Sequence, residues 1–84
     1  MLKLLYFASV RQTLDKSGEE LPLPAGVDTV RALAAHLAQL GPGYTEAFGD
    51  LRGLRAAVNQ EHVNFDAGIR DGDEIAFFPP VTGG

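Results

Sequence analysis

The residues best suited to chemistry lie at the C-terminal end of this 84-residue sequence. Pro79 and Pro80 fix two φ angles and so favour a stiff, extended exit from the preceding segment. Val81-Thr82 is β-branched and favours extension, which would let a partner bind its backbone. Gly83-Gly84 has no Cβ atoms and can therefore enter a narrow channel. We predict that the α-carboxylate of Gly84 is free and is the group on which this protein's chemistry takes place.

Other polar residues form no recognisable catalytic or metal-binding pattern. The two histidines, His36 and His62, match no metal-binding spacing, and each is predicted to be a solvated or partly buried side chain. Asp71-Gly72-Asp73 is better explained as a turn with glycine in the left-handed position than as a calcium loop. The sequence has no cysteine, which excludes disulfides and thiolate catalysis.

The composition is that of a small globular domain. A hydrophobic fraction of 45% and a charged fraction of 21% argue against disorder. A formal net charge of −4 argues against nucleic acid or an anionic membrane as the main partner and fits a partner with a basic docking surface. No segment is typical of a membrane span or a signal peptide. We expect one cytoplasmic domain over residues 1–84, from which residues 79–84 protrude as a tail.

Hydrophobic periodicity predicts strands at both ends of the chain. Residues 2–8 and 74–78 are predicted to form apolar strands, and residues 19–24, with two prolines, an edge strand at best. Residues 55–65 are predicted to form a hairpin with its turn near residues 59–61. Residues 9–18 are predicted to be a polar connection that can include one helical turn.

One main helix is predicted over residues 30–40. Its apolar positions repeat with helical spacing, and either Asp28 or Thr29 can serve as the N-cap. Gly41 is predicted to end it in the left-handed conformation, and Pro42 to prevent its continuation. A short second helix is predicted over residues 44–48.

A single helix with one apolar stripe can cover only one face of a sheet. We therefore predict an α+β fold with a mixed four- to five-stranded sheet packed on the main helix. Strand alternation places Leu5 and Phe7 on the same face of the first strand. If Phe77 faces the helix, Phe78 joins them on the uncovered face, where an aromatic patch would be typical of a docking site. Arg11 follows Phe7 closely enough to join this patch.

Three segments resemble the small subunits of molybdopterin synthase, the MoaD-type sulfur carriers. These segments are Leu4-Leu5-Tyr6-Phe7-Ala8-Ser9-Val10-Arg11, Ala57-Val58-Asn59-Gln60 and Asp71-Gly72-Asp73-Glu74-Ile75-Ala76-Phe77-Phe78-Pro79-Pro80-Val81-Thr82-Gly83-Gly84. With the position of the main helix, the resemblance spans the whole chain, although residues 41–55 carry no matching motif. The family has the ubiquitin-like β-grasp fold, which agrees with the sheet and helix predicted above.

The resemblance implies a carrier cycle at Gly84. An E1-like adenylating enzyme uses ATP and magnesium to activate the carboxylate, and a persulfide donor converts it to a thiocarboxylate. The tail then enters the large subunit of molybdopterin synthase, where its sulfur is transferred to cyclic pyranopterin monophosphate to build the molybdopterin dithiolene. Phe7 and Phe78 match family positions on the docking face, and a heterotetramer with two large subunits is implied. The carrier itself would hold no cofactor and would catalyse nothing alone.

Three other functions share features of this sequence. The sulfur carriers of thiamine thiazole synthesis have the same fold and terminal glycines, but they are generally shorter and resemble Phe77-Phe78-Pro79-Pro80 less. A ubiquitin-like modifier would conjugate Gly84 to lysines of other proteins. A plain β-grasp interaction domain would leave the terminus without a role.

Overall fold

The computed structural model describes residues 1–80 and contains a five-stranded sheet covered on one face by helices. The elements in chain order are β1 (Leu2–Tyr6), α1 (Ala8–Leu14), β2 (Gly18–Leu21), α2 (Val30–Leu37), α3 (Pro42–Phe48), a 3₁₀ turn (Leu51–Gly53), β3 (Arg55–Val58), β4 (Glu61–Val63) and β5 (Glu74–Phe78). The strand order is β2-β1-β5-β3-β4. The β1–β5 pair is parallel and the other pairs are antiparallel, so the predicted mixed sheet is confirmed.

The predicted alternation of the two central strands is also confirmed. Leu2, Leu4 and Tyr6 of β1 are buried on the helix side, which we call the inner face. Ile75 and Phe77 of β5 are fully buried on the same side. This inner face packs with one hydrophobic cluster to which all three helices contribute. The opposite side of the sheet, the outer face, carries the alternate residues of each strand.

An aromatic contact joins α3 to the centre of the sheet. Phe48 of α3 meets Phe77 edge-on, with ring centroids 4.9 Å apart, and lies 6.1 Å from the ring of Tyr6. Edge-to-face pairs of this kind add about 0.5–1.5 kcal/mol beyond the area that they bury. The short helix predicted over residues 44–48 is therefore a core element, and it starts two residues earlier, at Pro42.

The main helix begins as predicted but ends earlier. Thr29 is its N-cap, and the Thr29 hydroxyl oxygen accepts a hydrogen bond of 3.1 Å from the Ala32 amide. The helix ends at Leu37, not at residue 40, because the amides of Gln39 and Leu40 bond to carbonyls three residues back and tighten the chain into a turn. The prediction of a left-handed Gly41 was wrong. Gly41 is extended, with φ 160°, and serves as the N-cap of α3, while Pro42 starts that helix.

The polar connection predicted over residues 9–18 is a two-turn helix, α1. Val10 and Leu14, four residues apart, are both buried against the core. Gly43 of α3 lies so close to α1 that a Cβ atom there would be 3.3 Å from the Thr13 carbonyl oxygen. Since a short helix is marginal alone, this packing stabilises α1. The helix begins at Ala8, whose φ of 51° lies in the left-handed region.

A hydrogen-bonded clamp fixes the β3–β4 hairpin to the start of β5. Asn59 and Gln60 form the turn with φ of 51° and 71°, and Glu61 already belongs to β4. The Asn59 side chain donates to Asp73 Oδ1 over 3.1 Å and accepts from the Glu74 amide over 3.0 Å. Gly72, at φ 92°, occupies the left-handed position predicted for its turn. The clamp explains physically why asparagine at 59 and aspartate at 73 suit these positions.

One carboxylate joins the β2 edge of the sheet to α3. Glu19 Oε2 accepts hydrogen bonds from the hydroxyls of Tyr6 (2.8 Å) and Tyr44 (2.7 Å), and Lys16 approaches Oε1. Burial opposes ionisation of Glu19, but the bonds from Tyr44 and Tyr6 outweigh it, so the pKa of Glu19 is lowered. Burial, and then the bond to Glu19, raises the pKa of the Tyr6 hydroxyl. The Glu19 carboxylate thus connects β2 to β1 through Tyr6 and to α3 through Tyr44, and we interpret this cluster as structural.

Candidate functional site

The outer face brings together the three apolar residues predicted to form a docking patch. Because β1 and β5 are parallel, with Leu5 opposite Ala76, the residues after Leu5 continue alongside Phe77 and Phe78. The Phe7 amide donates to the Phe77 carbonyl over 3.1 Å and so extends this pairing by one residue. Phe7 is 48% exposed, and Leu5 and Phe78 are partly exposed. For a domain this small, two aromatics and a leucine on an uncovered sheet face form a marked apolar surface.

Two further members of this face were not predicted. The turn predicted near residues 59–61 is shorter in the structure, where β4 begins at Glu61 and His62 pairs with Ala57 on the outer face. Its ring lies 5.1 Å from the ring of Phe78, with an interplanar angle of 49°. Arg55, the first residue of β3, pairs directly with Phe78. The signal that could have found both residues is strand alternation counted back from Phe78 through the hairpin.

Arg11 lies on α1, one helical turn after Phe7. The Phe7 carbonyl accepts from the amides of Val10 (3.1 Å) and Arg11 (3.4 Å), so the start of α1 is attached to the end of β1. The Arg11 side chain is exposed and helps to line a surface cavity of about 290 Å³. The other residues lining it are Gln12, Asp15, Lys16 and Ser17. A place for Arg11 in the docking patch remains a prediction.

The root of the tail lies at the middle of the sheet. β5 is hydrogen-bonded to β1 on one side and to β3 on the other, and it ends at Phe78. Pro79 and Pro80 follow as partly buried residues. The roles predicted for Val81, Thr82, Gly83 and Gly84 fall outside the described residues and remain predictions.

Two other kinds of functional feature, a metal site and a membrane-spanning helix, are not found among the described residues. Within residues 1–80 no group of three or more histidine, aspartate or glutamate side chains is arranged to hold a metal ion. In the same range no helix combines the length and apolar character needed to cross a membrane. The outer face and the strand leading to the tail are therefore the parts of the described chain with the clearest features of a functional site.

Comparison with known proteins places the whole chain in one family. The model of the ThiS family matches residues 4–84. The molybdopterin synthase sulfur carrier subunit of Escherichia coli is 46% identical over 84 residues, which cover all of both chains.

Two solved structures share the fold. One is a putative molybdopterin converting factor, subunit 1, from Pyrococcus furiosus, with 28% identity, a TM-score of 0.69, and coverage of 95% of this chain and 97% of that one. The other is in a complex of subunits 1 and 2 of molybdopterin-converting factor from Helicobacter pylori, with 24% identity, a TM-score of 0.65, and coverage of 99% and 97%. These matches confirm the ubiquitin-like β-grasp fold expected from the resemblance. The chain belongs to the ThiS family, and the Escherichia coli relative that it matches from end to end is a molybdopterin synthase sulfur carrier subunit.

Proposed function

We propose that this chain is the sulfur-carrying small subunit of molybdopterin synthase. The observation that carries the proposal is the position of β5, the middle strand, which ends with Phe78 on the outer face and continues into Pro79-Pro80. The same strand thus contributes Phe78 to the apolar outer face and leads directly into the tail. The 46% sequence identity to the Escherichia coli sulfur carrier subunit, which extends over the full length of both chains, supports this function.

The chemistry of the carrier takes place at the Gly84 carboxylate. A carboxylate is a poor electrophile, and transfer of AMP from ATP to it, with release of pyrophosphate, gives a reactive mixed anhydride. Sulfur from a persulfide then displaces AMP, and with a thiol as reductant the product is a thiocarboxylate. Its sulfur is nucleophilic and is delivered to cyclic pyranopterin monophosphate. Two such deliveries supply the two sulfurs of the molybdopterin dithiolene, and Gly84 returns to the carboxylate form.

The chain's own residues bind and position in this cycle, and the catalytic groups belong to its partners. Leu5, Phe7 and Phe78 form the apolar anchor against the large subunit, with Arg11 at its margin. Pro79 and Pro80 direct the tail away from the sheet, and residues 81–84 reach the large subunit's active site. The Helicobacter pylori complex of subunits 1 and 2 supports pairing with a second subunit. We further propose a heterotetramer of two small and two large subunits in the cytoplasm.

The cofactor requirements of the cycle lie outside this chain. ATP and magnesium are used by the E1-like adenylating enzyme, and sulfur comes from a separate persulfide donor. With no cysteine in its sequence, the carrier holds sulfur on its terminus and not on a side chain.

Intact-mass measurement tests this function directly. The protein is incubated with the adenylating enzyme, ATP, magnesium and a persulfide donor, and we expect a mass increase equal to the exchange of one oxygen for one sulfur. A variant lacking Gly84, and one with a residue added after it, should show no increase and should unfold at nearly the same temperature as the wild type. No mass change with any competent adenylating enzyme would refute the carrier function.

A second step separates the carrier functions from each other. The thiocarboxylated protein is supplied with the large subunit and cyclic pyranopterin monophosphate, and molybdopterin formation is measured. Sulfur loading without molybdopterin formation would favour the thiazole-forming carriers. Adducts of higher mass on lysines of other proteins would favour a modifier.

A further inference from the structure

The outer face extends beyond the three predicted anchor residues to the edge strand β4. Ala76 of β5 pairs with Ala57 of β3, and Ala57 pairs with His62 of β4. Only methyl side chains therefore separate His62 from Leu5 along this row. The imidazole instead packs against the ring of Phe78, with 5.1 Å between the two ring centroids. A titratable ring thus lies beside the apolar residues of a face that also carries Arg55, Glu74 and Lys3.

The surroundings of His62 contain no fixed partner for a positive charge. Within residues 1–80 none of the four ion pairs includes His62. On the same face, β3 carries the cationic Arg55 two residues from Ala57, and β5 carries Glu74 two residues before Ala76, one strand further away. On β4 itself the charged neighbour is Glu61, which pairs with Val58 and so lies on the opposite side of the strand.

We propose that His62 makes docking of this carrier to the large subunit of molybdopterin synthase depend on protonation. This inference rests on the function proposed above. A neutral imidazole lying on Phe78 can be desolvated together with the apolar anchor when the large subunit covers the outer face. An imidazolium in the same place would be buried without a counter-charge, which is costly, so it must lose its proton for the complex to form. Docking is then strong at neutral pH and weakens in acid.

The size of the effect follows from the proton that docking must remove. Histidine side chains ordinarily change charge near pH 6.5. If only the neutral form docks, the apparent affinity falls with the fraction of neutral protein, which decreases about tenfold for each pH unit well below that value. Between pH 7.5 and pH 5.5 the dissociation constant should therefore rise by about tenfold.

Calorimetric titration of the carrier with the large subunit at several pH values tests this inference. The wild type should show the tenfold weakening, and His62→Leu, which keeps an apolar side chain but cannot be protonated, should show little or none. The matched control is His36→Gln, because His36 is the chain's other histidine and lies on α2, on the helix-covered side of the sheet. It should keep the pH dependence of the wild type. Circular dichroism at pH 5.5 checks that all three proteins remain folded.

Three results would overturn the inference. They are a pH-independent wild type, a His62→Leu variant as pH-dependent as the wild type, and tighter binding of the wild type in acid. The last would mean that the large subunit offers His62 a carboxylate. Absence of binding at every pH would instead refute the proposed function and, with it, this inference.

Discussion

Phe77 and Phe78 are adjacent residues of one strand. Truncation of Phe77 should mainly reduce folding stability, whereas truncation of Phe78 should mainly reduce docking affinity. Phe77 is fully buried on the inner face against Phe48, whereas Phe78 lies partly exposed on the outer face beside His62. Replacing each in turn by alanine changes the same chemical group in the same strand. The pair therefore separates the contribution of a phenylalanine to folding from its contribution to docking.

The expected magnitudes follow from burial. Phe77→Ala removes a fully buried ring and leaves a cavity, so it should lower the free energy of unfolding by about 3–5 kcal/mol. Burying a whole phenylalanine side chain contributes about 1.5–3 kcal/mol, and Phe78 is only partly covered and would leave no enclosed cavity. Phe78→Ala should therefore lower the free energy of unfolding by about 1 kcal/mol. As an interface anchor, Phe78 should contribute about 1–3 kcal/mol to docking, which is a loss of roughly 5–150-fold in affinity.

Two measurements on each variant decide the outcome. Urea denaturation gives the free energy of unfolding, and titration with the large subunit at neutral pH gives the dissociation constant. We expect Phe78→Ala to be folded and poor at docking, and Phe77→Ala to be strongly destabilised. If Phe78→Ala instead lost 3–5 kcal/mol of folding stability and docked normally, the division into inner and outer faces would be wrong.

Substitutions at three further positions test the local structure, each by denaturation. Glu19→Gln should lower stability at neutral pH by about 1–2 kcal/mol, because it removes charge-assisted hydrogen bonds. Since the pKa of Glu19 is lowered from its ordinary 4.5, its ionised form stabilises the protein above that pH and this contribution is lost as pH falls through the folded-state pKa. The variant should therefore lose less stability on acidification than the wild type, and an equal loss would contradict the assignment. Ala8→Gly should raise stability by about 0.5–1 kcal/mol, because glycine adopts a φ of 51° without strain, and a decrease would show that Ala8 is unstrained. Asn59→Ala should cost about 1–3 kcal/mol through its lost bonds and its left-handed backbone, and Asn59→Gly, which relieves only the backbone, should cost less; equal costs would mean that the positive φ is unimportant.

The central strands could be predicted from the sequence because their faces are encoded locally. A shift of one residue in β1 would move Leu2, Leu4 and Tyr6 from the core to the outer face, so their alternation fixes which side is buried. The same holds for Ile75 and Phe77 in β5. The position of Phe78 on the outer face follows from these two assignments without any knowledge of the tertiary structure.

The elements that were missed depend on contacts between distant parts of the chain. α1 has only Val10 and Leu14 as buried positions, too few to predict a helix without its packing on α3. α2 ends at Leu37 in a tightened turn, and Gly41, predicted to end α2, is instead the N-cap of α3. The place of His62 depends on β4 starting at Glu61, directly after a two-residue turn. For α1 tertiary packing decided between local alternatives, and for α2 and His62 the exact length of a local turn decided.

The central position of β5 also determines how the domain responds to force on its C-terminal end. A pull on the residues after Phe78 acts along β5, whose backbone is bonded to β1 on one side and β3 on the other. Such a load is parallel to the strands, so it shears both rows of hydrogen bonds together. A tail attached to an edge strand such as β2 would be held by one row only. A pull on the C-terminal end is therefore opposed by two rows of hydrogen bonds at once, which makes mechanical unfolding of the domain from this end difficult.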